Sequence, residues 1–391
     1  MFYVGIDIGK RNHEAVVTDD AGKVVIKAFR ITNDLKGYSS LLERLKKITV
    51  VRSQFIFGME STGPYWLPLY SRLMKDEYQV QVFNPIQSDA LRGLYIRQNK
   101  CDSRDAFIIA EILRFGNYSA TVVPQDKLIA MRELCRNRAF LVDTQSDLKR
   151  KTVALLDQVF PEYDKLFSSS FIHASAALLT KYPTPDKIIK ANVSTIGKIL
   201  YKASNGFYGL VKAQEIKDAA KNTFGIPDTY GAYASLITIY IDQISTIGKQ
   251  VDELNKKIEE LFNELGSCIT TITGIGTVLG AIIVSEIGDI SRFSSVDKLA
   301  AYAGIDPTVK QSGGFTGTHN HMSKRGSPYL RWAVWRACVI AVQNDPMFKA
   351  YYEKKASEGK PYMVIIGHCT KKMMGVIYAV MRDNKEYAPA A

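Results

Sequence analysis

The chain has 391 residues, of which 46% are hydrophobic and 23% are charged, and its formal net charge is +12 at pH 7. This length and composition indicate a globular protein of two or three domains and exclude a low-complexity chain. The longest apolar runs are too short to cross a bilayer, and Met1 leads directly into an apolar segment, so neither a membrane span nor a signal peptide is expected. We therefore predict a soluble, cytoplasmic protein.

The cysteines indicate a reducing compartment. They are odd in number, lie far apart and show no C-x-x-C spacing, which argues against a disulfide framework and against a structural zinc site. The five are Cys101, Cys135, Cys268, Cys338 and Cys369.

The positive charge is concentrated toward the end of the chain. From residue 300 onward, 13 Lys and Arg residues stand against 6 Asp and Glu residues. A polyanion such as nucleic acid is the partner that this imbalance favours. The alternative is a solvated surface that happens to be rich in lysine.

Residues 1–120 alternate strand and helix patterns. The run Phe2–Ile6 is a short apolar strand that ends at Asp7, and two more β-rich runs flank a turn at residues 19–22. A helix is predicted from about Asn33, followed by a strand, a helix, a strand and a last helix that Gly116 terminates. This order predicts an α/β domain of the ribonuclease-H-like type.

Residues 121–266 are predicted to be mostly helical, with one long helix over about 232–265. Its apolar residues recur in steps of three and four with charged residues between them, as in a coiled coil. We expect this helix to pair protomers; the alternative is that it packs within its own chain. The predicted seam consists of Leu236, Tyr240, Ile244, Ile247, Val251, Leu254, Ile258, Leu261 and Leu265.

Residues 267–391 form a third, mainly α-helical predicted domain. Gly274 and Gly276 lie between two apolar stretches in ITTITGIGTVLGAIIVSEIGDI, which resembles a helix-hairpin-helix element. In such an element, glycines let backbone N–H groups at a helix start approach a DNA phosphate. A plain helix–helix turn is the alternative.

Four acidic residues stand at the ends of elements of the first domain. Asp7 and Glu60 each end an apolar strand, and Asp102 and Asp105 lie three apart at the start of a helix. Singly, each fits a turn or the first turn of a helix. In a ribonuclease-H-like domain these ends converge, and converging carboxylates need divalent cations. Oxygen ligands suit Mg²⁺ or Mn²⁺, and a pair of such ions supports phosphodiester displacement.

Several motifs together resemble a known family. D-I-G-K at 7–10, E-S-T-G-x-Y at 60–65 and D-S-R-D-A at 102–106 resemble the DEDD motif of a family of bacterial insertion-sequence transposases. The N-terminal domain of that family is similar to the RuvC Holliday-junction resolvase. The later segments GIGTVLGAIIVSEIGDISRF, LAAYAGIDP, QSGG and MSKRGSPYLRWAVWRA resemble the family's C-terminal transposase domain in order and spacing.

The resemblance implies a recombinase guided by a structured noncoding RNA that pairs with both donor and target DNA. It also implies that a serine of the C-terminal domain attacks DNA beside the DEDD metal site, and the matching serine is Ser312 in KQSGGFTG. A serine needs its proton removed or its oxygen polarised before it attacks, which a bound metal ion provides. The expected protein is a nucleoid-associated dimer or tetramer. Its predicted nucleic-acid contacts are Gly274, Gly276, Lys324, Arg325 and Arg331.

Two positions depart from the family pattern, and one other serine competes with Ser312. Cys101 stands where threonine is expected before Asp102, and Ser327 stands where the family usually shows asparagine. Ser323, beside Lys324, is the second candidate nucleophile. The sequence H-N-H at 319–321 does not indicate an HNH nuclease, because that fold spreads these residues over a ββα-metal motif.

Three other functions fit parts of this pattern. A RuvC-like junction resolvase would cut with metal-activated water and without Ser312. A non-catalytic nucleic-acid-binding dimer would explain the charge and the heptads but not the four acids. A sugar kinase or actin-like ATPase shares the fold and an initial D-x-G. Such an enzyme also needs a second glycine-rich phosphate loop after a strand of a duplicated domain, and the chain shows no D-x-G in such a place.

Overall fold

A computed structural model of the chain describes residues 1–61, 63–83, 102–116, 126–308, 311–312, 315–316 and 321–389. The chain divides into two compact units, Met1–Val123 and Pro124–Ala391. The predicted three-domain division, with boundaries after residues 120 and 266, stays a prediction.

A mixed sheet is the centre of the first unit. Within the described residues its five strands lie in the order β3-β2-β1-β4-β5. β1 and β3 are antiparallel to β2, whereas β4 runs parallel to β1 and β5 runs parallel to β4. The α/β class predicted for this part of the chain is confirmed. The strands are β1 (Phe2–Asp7), β2 (Asn12–Asp19), β3 (Val24–Thr32), β4 (Phe55–Glu60) and β5 (Gln79–Phe83).

Helices cover both faces of this sheet. On one face, α1 (Leu35–Lys46) and α2 (Leu67–Lys75) bury leucines against Val4, Ile6 and Met59 of the strands. Successive side chains of a strand point to opposite faces of the sheet, so Val4 and Ile6 lie on the face that α1 and α2 cover. The polar or small residues that alternate with them point to the other face. The opposite face is covered by α3 (Asp102–Phe115).

Two glycines let α3 lie directly on the strands. A Cβ on Gly5 of β1 would lie 2.0 Å from the carbonyl oxygen of Ala106, and a Cβ on Gly58 of β4 would lie 3.0 Å from Ile109 and 2.9 Å from Leu113. Any larger residue at position 5 would push α3 off the sheet. Gly5 and Gly58 are opposite each other in the parallel register, so both strands meet the helix at the same level.

The second unit contains a long antiparallel helical hairpin, formed by α4 (Asp126–Val159) and α9 (Ala232–Asn263). Nε of Arg138 donates a hydrogen bond to Oδ1 of Asn255 at 2.5 Å, and Nε2 of Gln145 donates to the carbonyl of Ile244 at 3.0 Å. The long helix therefore packs within its own chain. Pairing between protomers stays a prediction.

At the first two positions of the predicted seam, the residue that α9 buries within its own chain is the next one along. Leu236 is 38% exposed and Tyr240 is half-buried, whereas the neighbouring Ile237 and Ile241 are buried. Residues 236 and 237 are both apolar, as are residues 240 and 241, so a heptad pattern can start at either member of each pair. In the folded chain, packing buries the second member of each pair. The residues buried along α9 are Ala234, Ile237, Ile241, Ile244, Ile258 and Phe262.

Four short helices pack into a separate core around one end of the hairpin. Tyr163, Leu178, Ile196 and Ile216 are buried there, together with Ile237 of α9. The hydroxyl of Tyr163 lies 2.7 Å from that of Ser175, so the polar atom of this large buried side chain has a hydrogen-bond partner. The helices are α5 (His173–Lys181), α6 (Pro185–Lys190), α7 (Val193–Ala203) and α8 (Leu210–Lys221).

The other end of the hairpin joins the C-terminal core. Met131 of α4 and Phe262 of α9 are buried against five helices that follow them in the chain. The helices are α10 (Thr277–Ile287), α11 (Val296–Ala303), α12 (Pro328–Asn344), α13 (Pro346–Ser357) and α14 (Tyr362–Asp383).

The predicted helix-hairpin-helix element has an unequal form. The first of its two expected helices is only a four-residue 3-10 turn, Cys268–Thr271, and the second is α10. Thr270 and Thr271 are β-branched, and such residues lose side-chain freedom in an α-helix. Gly274 then takes φ = +91°, which ends the turn before α10 begins.

One described helix, α14, is long and apolar enough to span a membrane by length and composition alone. Its Ile366, Met373 and Ile377 are buried in the C-terminal core. The packing explains its apolar character as that of a core helix.

Candidate active site

Asp7 and Glu60 end two neighbouring parallel strands. Ile6 pairs with Met59 in the register of β1 and β4, so the next residue of each strand is one of the two acids. Neighbouring strands lie about 4.8 Å apart. Gly5 and Gly58 face α3, and side chains two residues apart share a face, so both acids belong to the face that α3 covers.

The direction of α3 brings its first turn to the same place. Gly22, in the turn after β2, lies against the guanidinium of Arg114 near the end of α3. Asp19, which precedes that turn, pairs with Phe2 at the start of β1. The last turn of α3 is therefore at the start of β1, and its first turn is at the end of β1, beside Asp7.

We call the ends of β1 and β4 with the first turn of α3 the acid edge. Glu60 is 9% exposed and Asp105 is 6% exposed, and Asp7 is partly buried. Burial strengthens interactions between charges and makes unneutralised carboxylates costly. Asp102 is the first residue of α3, and its side chain lies outside the described residues.

The donor atoms at the acid edge suit a hard divalent cation, because all are carboxylate oxygens. Among the side chains that the structure describes, no group of three or more His, Cys, Asp or Glu residues is placed to hold a metal ion. What supports a metal site is therefore the backbone placement and the donor chemistry of Asp7, Glu60 and Asp105, with Asp102 as a fourth ligand.

The sequence interpretation missed an acid beside Asp7. Glu14 of β2 is directly opposite Asp7 in the antiparallel register, and it forms an ion pair with Arg30 at 3.7 Å. Directly opposed side chains share a face and have Cβ atoms about 5 Å apart. The signal in the sequence was the alternation of His13, Glu14 and Ala15, but it could be used only once the register was known.

A cleft of about 360 Å³ opens next to Asp7. Besides the acids Asp7 and Glu14, its lining includes the basic residues Arg11 and Arg30 and the imidazole of His13. A cleft that combines acids with basic side chains can receive a phosphate group beside a metal ion.

His13 is a buried part of this cleft wall. It is 2% exposed, and its Nδ1 accepts a hydrogen bond from the backbone N–H of Gly9 at 3.3 Å. Burial is the main cause that lowers its pKa below the usual 6.5, and hydrogen bonds with Asn33 and Gly9 oppose this shift. The imidazole is therefore neutral at pH 7 and fixes the loop that follows Asp7.

We expect the burial of His13 to reduce stability in acid. Below about pH 6.5 the unfolded chain binds a proton that the folded imidazole does not, so the free energy of unfolding falls as the pH falls. Chemical denaturation at about pH 7.5 and about pH 5.5 should show a smaller loss for His13→Gln than for the parent. Equal losses in the two proteins would show that the imidazole titrates normally.

The second unit carries Ser312 on a small hairpin. β6 (Gln311–Ser312) pairs antiparallel with β7 (Phe315–Thr316), and the side chain of Ser312 lies outside the described residues. His319 and Asn320 of the H-N-H run also lie outside them. The backbone nevertheless places Ser312 on a paired strand, opposite Phe315.

The two segments that flank this hairpin are bonded to each other. The N–H of Thr308 donates to the carbonyl of His321 at 2.7 Å, and the N–H of Ser323 donates to the carbonyl of Asp306 at 2.8 Å. Oγ of Ser323, the second candidate nucleophile, donates to Oδ1 of Asp306 at 2.5 Å. We call the paired segments 304–308 and 321–326 the stem.

The predicted nucleic-acid contacts differ in their surroundings. Lys324 and Arg325 are exposed, with Lys324 at a positive φ of 54°, whereas Arg331 is half-buried and donates to the carbonyl of Ala303 at 2.9 Å. A Cβ on Gly274 would lie 2.3 Å from the carbonyl of Ala337, so this glycine permits close packing on α12. Gly276 has open space where a Cβ would lie.

Comparison with known proteins decides the family. Residues 4–161 match the DEDD transposase family model of IS110 elements, and residues 266–353 match the transposase model of the IS116/IS110/IS902 family. The chain belongs to this transposase family. The resemblance seen in the motifs is confirmed, and the protein is an enzyme of DNA transposition and recombination.

Relatives of this transposase extend over almost all of the chain. The uncharacterized 44.8 kDa protein of insertion element IS116 from Streptomyces clavuligerus is 26% identical over 99% of this chain and 96% of its own length. The uncharacterized 42 kDa protein of IS900 from Mycobacterium paratuberculosis is 24% identical over 99% and 97%. A pilin gene-inverting protein of Moraxella bovis is 24% identical over 98% and 97%.

Proposed function

We propose that this transposase is an RNA-guided DNA recombinase that cuts and rejoins strands with a serine nucleophile and with Mg²⁺ held by the acid edge. The observation that carries the proposal is the position of Asp7 and Glu60, which end adjacent strands on the face that the first turn of α3 covers. Buried carboxylates gathered in this way, in a chain of net charge +12, are best explained by chemistry on a phosphodiester.

The ligands of the metal ions are Asp7, Glu60, Asp102 and Asp105. Bound Mg²⁺ or Mn²⁺ would polarise the phosphate and neutralise the charge that develops during displacement. The chain's own contribution is rigid placement of the carboxylates. Gly5 and Gly58 support this placement, because they let α3 pack directly on the backbone of both strands.

The proposed nucleophile is Ser312. Its Oγ forms a bond to the scissile phosphorus while one P–O bond of the DNA backbone breaks. The serine loses its proton, and the oxygen that leaves the phosphorus becomes a hydroxyl at the DNA end. The product is a phosphoserine that keeps the phosphodiester energy, so the exchanged strand can be rejoined without ATP.

The partners of the reaction are donor and target DNA and a structured noncoding RNA. Exposed Lys324 and Arg325 supply positive charge on the stem, where phosphates of either nucleic acid can bind. The pilin gene-inverting relatives are named for a DNA inversion, which is also an exchange of strands.

Removal of the bound RNA tests whether an RNA guides DNA cleavage by this transposase. We expect one structured noncoding RNA to copurify with the protein, and nuclease-treated protein should lose strand cleavage until that RNA is added back. Sequencing of the bound RNA and a cleavage assay with and without it give the result. Full cleavage by RNA-free protein at the same sites would contradict guidance by RNA.

The oligomer is proposed to form through the exposed apolar residues of the hairpin. Leu236 and Ile239 are three residues apart on α9 and are exposed, although they are large and apolar. Such residues mark protein contacts when they are grouped on one surface.

Charged substitutions on α9 separate this contact from the hairpin's own packing. Leu236→Glu with Ile239→Glu should lower the mass in light scattering while leaving the protein folded. Ile258→Glu should unfold the unit, because an unpaired charge in its buried site costs several kcal/mol. An unchanged mass for the folded double variant would exclude this face of α9 from the oligomer contact.

A further inference from the structure

A buried carboxylate joins two distant parts of the second unit. Glu286, in the last turn of α10, is 1% exposed. Its two carboxylate oxygens accept hydrogen bonds from Nε and Nη2 of Arg136, on α4, at 2.7 and 3.0 Å. One of the same oxygens, Oε2, also accepts from Oγ of Ser327 at 2.8 Å. A bidentate arginine with a third donor is a strong arrangement for a buried carboxylate.

Ser327 has a second bond at the start of α12. Its Oγ accepts from the N–H of Leu330 at 3.2 Å, so this hydroxyl caps the helix and donates to Glu286 at the same time. A hydroxyl has one proton to donate and lone pairs to accept, and this serine uses both.

Ser327 also follows directly after the stem. Its backbone N–H donates to the carbonyl of Tyr302 at 2.9 Å. The preceding Gly326 lies so close that a Cβ there would be 1.8 Å from the same carbonyl. The hydroxyl of Tyr302 in turn donates to the backbone carbonyl of Glu286 at 3.1 Å. The end of the stem is therefore held against Glu286 through both Ser327 and Tyr302.

Neighbouring arginines fix the other side of this contact. Nε and Nη2 of Arg132, one helical turn before Arg136, donate to the carbonyl of Ser285 at 2.9 and 2.7 Å. Nε of Arg292 donates to the carbonyl of Ile287 at 3.1 Å. These bonds satisfy carbonyls in the last turn of α10, which have no partner within the helix. Glu286 thus has a rigid backbone from which to hold Ser327.

We propose that Glu286 is a positioning residue for strand transfer, which fixes the stem through Ser327 and so sets where β6 presents Ser312. The inference rests on the proposed function of Ser312 and adds the element that holds it. Arg136 extends the link to α4, because its two N–H groups hold both oxygens of the Glu286 carboxylate.

Substitutions of Ser327 separate this role from helix capping. Asn, Asp and Ser are about equally good at the N-cap position. Asparagine can also donate its amide N–H to Glu286, whereas aspartate is an acceptor and repels it. Ser327→Asn should keep activity near that of the parent. Ser327→Asp and Ser327→Ala should lower the rate of covalent adduct formation by about 100-fold, the scale expected when a reacting group is misplaced by about 1 Å.

The measurement is single-turnover adduct formation at saturating DNA and RNA, with DNA affinity determined separately. The inference is supported if Ser327→Asn reacts like the parent while Ser327→Asp, still folded and still binding DNA, reacts slowly. Equal rates for Ser327→Asp and Ser327→Asn would overturn it and leave Ser327 as a helix cap alone.

The experiment still tests the inference if Ser327→Asp does not fold or if the parent forms no adduct. If Ser327→Asp does not fold, Ser327→Gly provides the comparison, because glycine is nearly as good as serine at the N-cap but has no side chain that can donate to Glu286. Adduct formation by Ser327→Gly at the parent rate would then overturn the inference. If the parent itself forms no adduct while it cleaves DNA, the proposed role of Ser312 fails, and this inference falls with it.

Discussion

Replacing Asp7, Glu60, Asp102 or Asp105 by alanine is expected to abolish strand cleavage, with a loss on the order of 1,000-fold or more for each single change. The expectation follows from the acid edge, where adjacent strand ends and the first turn of α3 place carboxylates on one face. Loss of one ligand leaves too few oxygens to hold two divalent ions. Cleavage of labelled DNA in the presence of Mg²⁺ is the measurement.

Stability should not fall in these variants. Like charges that face one another destabilise a metal-free protein, so removal of one carboxylate should leave the free energy of unfolding unchanged or slightly higher. Asp20→Ala is a suitable control, because Asp20 is an exposed acid in the turn near the start of β1 and pairs with the N-terminal amine. That variant should cleave like the parent, since exposed ion pairs contribute little. Mg²⁺-dependent cleavage by a variant that lacks all four acids would refute the metal site.

Ser312→Ala is expected to remove recombination while RNA binding and Mg²⁺ binding persist. The substitution deletes one oxygen from β6 and leaves the stem, the exposed basic residues and the acid edge as they are. Without Oγ, no bond to the phosphorus can form, so strands cannot be held for rejoining. A recombination assay on donor and target DNA, run beside filter binding of the RNA, measures both properties.

Ser323→Ala is the matched comparison for Ser312→Ala. Ser323 belongs to the stem, and its hydroxyl donates to Asp306. If Ser312 is the nucleophile, Ser323→Ala should retain adduct formation. Loss of the adduct only in Ser323→Ala would move the nucleophile to the stem, where Asp306 could accept the serine's proton.

Much of the first unit could be predicted because its signals are local. The strand that ends at Asp7 is a short apolar run, and the helix that ends at Phe115 is followed by Gly116, which takes a positive φ. Such patterns depend on neighbouring residues alone. The opposition of Asp7 and Glu14 could not be predicted, because it depends on the register between strands, which pairing and not composition decides.

For the long helix α9, the sequence predicts the length but not which apolar residues are buried. Its length was predicted to within two or three residues, but residues 236 and 237 are both apolar, as are 240 and 241. A heptad pattern can begin at either member of such a pair. Contact with α4 buries Ile237 and Ile241, and no property of α9 alone reveals that choice.

Glu286 and Ser327 are 41 residues apart in the sequence, and their contact produces no periodic pattern from which it could be predicted. Glu286 is the one charged residue of α10, a mostly apolar helix, and this is the signal in the sequence that it has a buried partner. The identity of that partner depends on how α4, α10 and α12 meet. Long-range polar contacts of this kind require the folded structure.

Trapping the covalent intermediate tests the central claim most directly. A nicked or suicide DNA substrate should leave a protein–DNA adduct that survives SDS. Trypsin cleaves after Lys310 and Lys324, so one peptide contains both Ser312 and Ser323, and fragment ions must distinguish the two serines. The account predicts phosphate-linked DNA on Ser312. Efficient cleavage with free DNA ends and no adduct on the parent enzyme would contradict it, and would indicate a resolvase that uses metal-activated water.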